Sequence, residues 1–117
     1  MNNIDKEKVF QIKLVNGQEF LGVCDNIFEE GSMLEVSYAL DMVPTEYLDE
    51  EGESRAYYVL RPFVSYTEDL SITTNINPTT VICMNVPGSN ILEQYLSSID
   101  HIQDMLGTQN DSDEGLQ

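Results

Sequence analysis

No lysine or arginine follows Arg61. The cations are Lys6, Lys8, Lys13, Arg55 and Arg61, set against 21 Asp and Glu in 117 residues, for a net charge of −16. Holding a phosphate backbone draws on Lys and Arg that displace counterions, so this composition disfavours RNA or DNA as a partner. Tryptophan is absent, and histidine occurs once, at His101. The only cysteines, Cys24 and Cys83, lie in separate apolar runs. That spacing predicts two small buried hydrophobes rather than a disulfide, a metal site or redox chemistry. No stretch approaches the roughly 18 apolar residues of a membrane span. The opening MNNIDKEKVF has no apolar run after its charges, unlike a signal peptide. The expectation is a cytoplasmic protein without membrane contact, and 117 residues at 41% apolar suit one domain around one core.

What is present alternates. From Lys8 to Val15 the pattern predicts a strand with Phe10, Ile12 and Leu14 inward. Asn16-Gly17 predicts a type I′ hairpin turn. A second strand is expected from Gln18 to about Phe28, bent or bulged at Gly22, where the missing side chain leaves room. Glu29 to Ser32 marks the next turn. A third strand follows, with Leu34, Val36, Tyr38, Leu40 and Met42 on one face and Glu35, Ser37, Ala39 and Asp41 on the other. The carboxylate-rich stretch from Pro44 to Ser54 is expected to be an exposed loop. Pairing resumes from Tyr57 to Leu60 and ends at Arg61-Pro62. Another strand is predicted around Leu70 to Thr74, and a last one through Val81 to Val86, whose apolar run suggests cover on both faces, by the core and by a neighbouring subunit.

After Pro87-Gly88 the period changes to 3.6. Ile91, Leu92, Tyr95, Leu96, Ile99, Ile102, Met105 and Leu106 form one helical stripe. A helix over 89–106 is predicted, with Asn90 and Glu93 as a capping box and Gly107 as its C-terminal cap. The domain then spans 1–107, and 108–117 is expected to be a disordered acidic tail.

Leu14-x-x-Gly17-x-x-Phe20-x-Gly22 resembles the first half of the Sm and Lsm signature. IKLVNGQEF, Leu60-Arg61-Pro62-Phe63 and VICMNVPGSNILEQY, in that order, are similar to the Sm-like proteins of T4-type marine phages (cyanophages), over roughly residues 9 to 100. The resemblance implies a mainly β fold: a small bent antiparallel Sm-like (SH3-type) barrel of about five strands with a C-terminal α-helix. It further implies a homo-oligomeric ring closed through strand edges. RNA-binding members carry Asp and Asn after the second strand and Arg-Gly before the last. Here Ile27 to Met33 and Asn75-Ile76-Asn77-Pro78 carry neither set, so RNA is implied by kinship and opposed by charge.

No residue is assigned a catalytic, cofactor-binding or metal-binding role. His101 on the polar helical face is expected to be solvated rather than a base. The acidic stretches Asp49 to Glu53 and Asp111 to Gly115 lack the ligand spacing of a calcium loop. Tyr38, Tyr57, Tyr58 and Phe63 are read as core or interface residues before base-stacking ones. The expected function is a non-enzymatic, phage-encoded oligomeric module working through protein interaction, or at most weak RNA contact, in the host cytoplasm. The alternative is an acidic inhibitor that imitates nucleic acid and occupies a basic site on a host protein.

Overall fold

In a computed structural model, the described residues are 4–25, 31–64 and 67–115, with side chains described to Leu106. Among the described residues six antiparallel strands form one sheet: β1 (Val9–Leu14), β2 (Glu19–Cys24), β3 (Leu34–Leu48), β4 (Ser54–Pro62), β5 (Thr74–Ile76) and β6 (Val81–Asn85). A 3-10 turn, Lys6–Lys8, precedes β1, a second, Pro78–Thr80, joins β5 to β6, and α1 (Ser89–Gly115) closes the chain. The order across the sheet is β4-β3-β2-β1-β6, with β5 on the first part of β3.

The turn between β1 and β2 forms, but not as type I′. Gly17 has φ +89, while Asn16 keeps negative φ. Leu14 and Gln18 bracket a three-residue loop, with Gly17 N donating to Leu14 O at 2.9 Å and Leu14 N to Gln18 O at 2.9 Å. Asn16 instead accepts from Gln18 N through its side chain at 2.9 Å, which satisfies the turn with one left-handed residue. The β2 strand ends at Cys24, and the expected continuation to Phe28 and the turn at Glu29 and Glu30 lie outside the described residues.

The expected single apolar face of β3 is corrected by a bulge. Leu21 pairs with Leu40 and Val23 with Ser37, so Tyr38 and Ala39 together oppose Gly22. The extra residue reverses the alternation. Leu34 and Val36 pack with Ile12, Phe20 and Cys24, whereas Leu40 and Met42 pack with Leu21, Tyr95 and Ile99 on the other face. Tyr38 sits at φ +53, a left-handed conformation that costs a side chain with Cβ about 1 kcal/mol or more. Its backbone is held from outside the sheet: its N–H donates to Leu70 O at 2.8 Å, and its carbonyl accepts from Tyr95 Oη at 2.7 Å. A Cβ at Gly22 would overlap Val36 Cγ1, so the position admits only glycine without rearrangement.

The bulge is also where β3 changes neighbour, from β5 at Leu34–Val36 to β4 at Leu40–Leu48. In a flat sheet, β5 and β6 would lie four strand spacings apart, about 19 Å. One 3-10 turn links them, so the sheet curls. Its inner face encloses Ile12, Leu14, Phe20, Cys24, Leu34, Val36, Ala39 and Ile76, and Phe63 stacks on Phe20 at 4.6 Å. The outer face carries α1 through Tyr95 and Ile99, with Ile91, Leu92, Leu96, Ile102 and Leu106 around them. Phe10, Ile12 and Leu14 lie inward as the alternation predicts. Met105, placed in the stripe by period, is exposed.

Three other boundaries differ. The strand expected at Leu70 to Thr74 is Thr74–Ile76, because Asp69 Oδ1 draws Ser71 N and Oγ into a turn at 2.9 and 2.7 Å. The helix begins at Ser89, with Leu92 N donating to Gly88 O at 3.0 Å, so Asn90 lies inside the first turn rather than capping it. The helix predicted over 89–106 runs on through Gly107 and most of 108–117 to Gly115. A lone glycine costs a helix only about 1 kcal/mol, and no proline follows to stop it.

Candidate interaction surface

The residues from Pro44 to Ser54, expected as a loop, form most of a hairpin arm. The last β2–β3 pair is Phe20 with Asp41, but β3 and β4 continue in register from Met42 opposite Leu60 to Leu48 opposite Ser54. Beyond Asp41 the arm is two strands wide, so Pro44, opposite Tyr58, has no β2 neighbour to which it owes a donor. That proline and the carboxylates concealed the strand from sequence reading. The available signal was the β-prone run Arg-Ala-Tyr-Tyr-Val (Arg55 to Val59), which needs a partner of equal length.

Asp49 organises the tip. Its Oδ1 accepts from Glu51 N and Glu53 N, both at 2.9 Å, and its Oδ2 accepts from Arg55 Nε at 2.9 Å. The Glu53 amide first, then the Arg55 guanidinium, hold its carboxyl below the ordinary range. Gly52, at φ +81, completes a loop like that at Gly17, with Gly52 N donating to Asp49 O at 3.0 Å. Along the arm Tyr47, Leu48, Tyr57, Tyr58 and Val59 are exposed, with Leu48 at 73%, and Tyr47 and Tyr57 meet edge to face at 5.5 Å. A bare two-stranded ribbon with this much apolar surface is marginal in water.

Among the described residues, β4 and β6, which end the main path of the sheet, each have one edge without a sheet partner, as does the short β5. On β4 the exposed residues are Tyr57, Tyr58 and Val59; α1 meets this strand at Leu60 and at Tyr58, whose carbonyl accepts from Gln94 Nε2 at 2.9 Å. By β6, Ile82 is 58% exposed, Val86 is 80% exposed, and Val15 lies beside them, its N–H donating to Thr80 O at 2.8 Å. Cys83, predicted to be buried, is exposed here, on a strand at the end of the sheet where Ile82, on the opposite face, is exposed as well. Cys24 is buried inside the sheet, and burial first, then the charge of Asp25, pushes its thiol up to about 12.

The other residues weighed from sequence do not converge. His101 is exposed, in a shallow groove with Leu60, Gln94, Ser97, Ser98 and Ile102. Among the described residues no group of His, Cys, Asp and Glu is placed to hold a metal ion. Asn77, in the position of the second RNA loop, uses its side chain to accept from Thr79 N at 3.1 Å and Thr79 Oγ1 at 2.9 Å. Most of the first RNA loop, Ile27 to Met33, lies outside the described residues. Among the described residues no helix is long and apolar enough to cross a membrane. Among the described residues, one antiparallel sheet with open edges at β4, β5 and β6 and one α-helix packed on it define the class, a mainly β chain. No model of a protein family matches the chain, and no curated protein matches its sequence.

Proposed function

We propose that this chain is a non-enzymatic Sm-like module, a closed barrel that joins copies of itself edge to edge in a ring and works through protein interaction, phage-encoded and acting in the host cytoplasm. The observation that carries the reading is that two of the open edges among the described residues, β4 and β6, each have large exposed apolar side chains. Ladder hydrogen bonds between them would satisfy both edges and cover Tyr57, Val59, Ile82 and Val86 at once. The return of β6 onto β1 through one 3-10 turn supports the barrel.

Assembly brings −16 per chain together, so salt, which shortens the reach of charge to about 8 Å at physiological strength, is expected to strengthen it. Size-exclusion chromatography with light scattering across salt and protein concentration tests this. A monomer at high concentration and high salt refutes it. Fluorescence anisotropy with short oligo-U and oligo-A is expected to give no binding at physiological salt, and sub-micromolar binding there would restore RNA as the partner.

The acidic inhibitor remains the second reading, supported by the carboxylate order that Asp49 imposes on the arm tip. Capture of a basic host protein by the monomer, insensitive to nuclease, would favour it.

A further inference from the structure

We infer, on the reading that the chain works through protein interaction, that the free edge of β3 along the arm is a strand-addition site for an extended segment of a partner protein that alternates basic and apolar side chains. This site needs no ring of copies. β2 begins at Glu19 and its last pair with β3 is Phe20 with Asp41, while β3 runs on to Leu48. Phe63 N donates to Ala39 O at 2.9 Å and Asp49 N to Glu53 O at 3.0 Å, so the odd-numbered residues of β3 from 39 to 49 turn their N–H and C=O toward β4. Pro44, Glu46 and Leu48 turn theirs the other way, where no strand lies among the described residues. Proline offers only its carbonyl, so the donors of this edge are Glu46 N and Leu48 N, with the carbonyls of Pro44 and Glu46 beside them. An extended peptide satisfies such a row.

The side chains around the edge select its occupant. One face carries Glu46, with Glu50 and Glu51 at the tip, and no described cation pairs with these three carboxylates. The cations of the arm are already held: Arg55 by Asp49 at 2.9 Å and Glu53 at 3.8 Å, and Arg61 by Asp41 at 3.8 Å. The opposite face carries Val43, Thr45 and Tyr47, whose exposed ring meets Tyr57. A strand laid on this edge has carboxylate beside one of its faces and apolar surface beside the other, and its own side chains alternate between the two. Where the free edge starts, Gln18, Glu19, Asp41 and Pro44 line a cleft of about 290 Å³, space for the end of the incoming strand. A second copy does not supply this chemistry. Two arm edges would set acid against acid, and the lysines stand beside acid: Lys6 between Asp5 and Glu7, Lys8 on Asp25 at 3.0 Å, and Lys13 level with Glu19. Nucleic acid and anionic lipid are repelled by the same carboxylates.

The probe is a labelled peptide of alternating lysine and valine, about eight residues long, read by fluorescence anisotropy against the full chain at about 0.15 M salt. Two backbone variants separate strand addition from the general pull of a net charge of −16. One is N-methylated on its lysine amides, the other on its valine amides, and both keep every side chain and charge. Only one edge of the peptide can face β3, so one variant is expected to bind roughly tenfold more weakly and the other to bind as before. Glu46→Gln is expected to weaken binding about two- to fivefold, the scale of an exposed ion pair, while Glu93→Gln on α1, an equal change of charge, leaves it unchanged. Hydrogen exchange locates the peptide: the Glu46 and Leu48 amides gain protection, and those of Thr45 and Tyr47, which face β4, change little. The inference is overturned by absence of binding, by equal behaviour of the two methylated peptides, by equal effects of Glu46→Gln and Glu93→Gln, or by protection gained elsewhere and not at Glu46 and Leu48. Any of these leaves the joining of copies, read by light scattering, untouched. A chain that stays monomeric yet takes up the peptide at this edge refutes the ring and upholds the site.

Discussion

Tyr95 Oη donates a 2.7 Å hydrogen bond to the carbonyl of Tyr38, so the helix holds the one described non-glycine residue with positive φ. Tyr95 is fully buried, and burial raises its hydroxyl pKa, which keeps the donor proton in place. The bond ties α1 to the point where β3 bulges and turns its apolar residues to the opposite face.

Tyr95→Phe removes the donor and leaves the ring. The expected loss is about 1 kcal/mol, or roughly 4 °C in Tm for a domain this size. Denaturant and thermal melts check it. An unchanged midpoint would mean that the bulge holds itself.

Gly22→Ala drives a Cβ into Val36 Cγ1. Overpacking of this kind costs about 1–3 kcal/mol. In the double variant Gly22→Ala with Val36→Ala the clash is gone, so the two changes together should cost clearly less than their sum. Additive losses in the mutant cycle would place the strain elsewhere.

The two thiols should separate by reactivity. Cys83 is exposed and Cys24 is buried with its pKa pushed up to about 12, so a disulfide reagent at neutral pH is expected to modify one thiol quickly and the second only on unfolding. Mass spectrometry of the labelled peptides identifies which. Fast labelling of Cys24 would mean that the curled sheet opens readily. Protection of Cys83 in the assembled state alone would place it in the joint.

Asp49 makes the arm tip sensitive to acid. Its folded pKa lies below the unfolded one, so its contribution is fully present above the unfolded value and is lost as pH falls through the folded value. The protection factors of the Glu51 and Glu53 amides, taken against the intrinsic exchange rate at each pH, should therefore fall on acidification ahead of those of the core strands. In Asp49→Ala the same amides are expected to be unprotected at every pH, and equal protection in that variant would remove Asp49 from the role.

How much was legible in the sequence divides along the range of the forces involved. Phe10, Ile12 and Leu14 on one face of β1, a turn at Gly17, an irregularity at Gly22 and the stripe from Ile91 to Leu106 all follow from local period and from glycine's missing side chain. Those features are settled by neighbours within a few residues. Tertiary structure decided the remainder. The run from Leu34 to Met42 reads as one face, but Gly22 on a different strand makes room for a bulge at Tyr38, and Leu70 and Tyr95 hold it there. The stretch from Pro44 to Leu48 reads as loop by composition, yet it is strand because the run from Ser54 to Leu60 supplies its ladder and no third strand demands a donor from Pro44. Cys83 sits in a buried-looking run and is exposed on a strand at the end of the sheet. In each case the outcome depended on which strand came to lie alongside, and no local pattern encodes that.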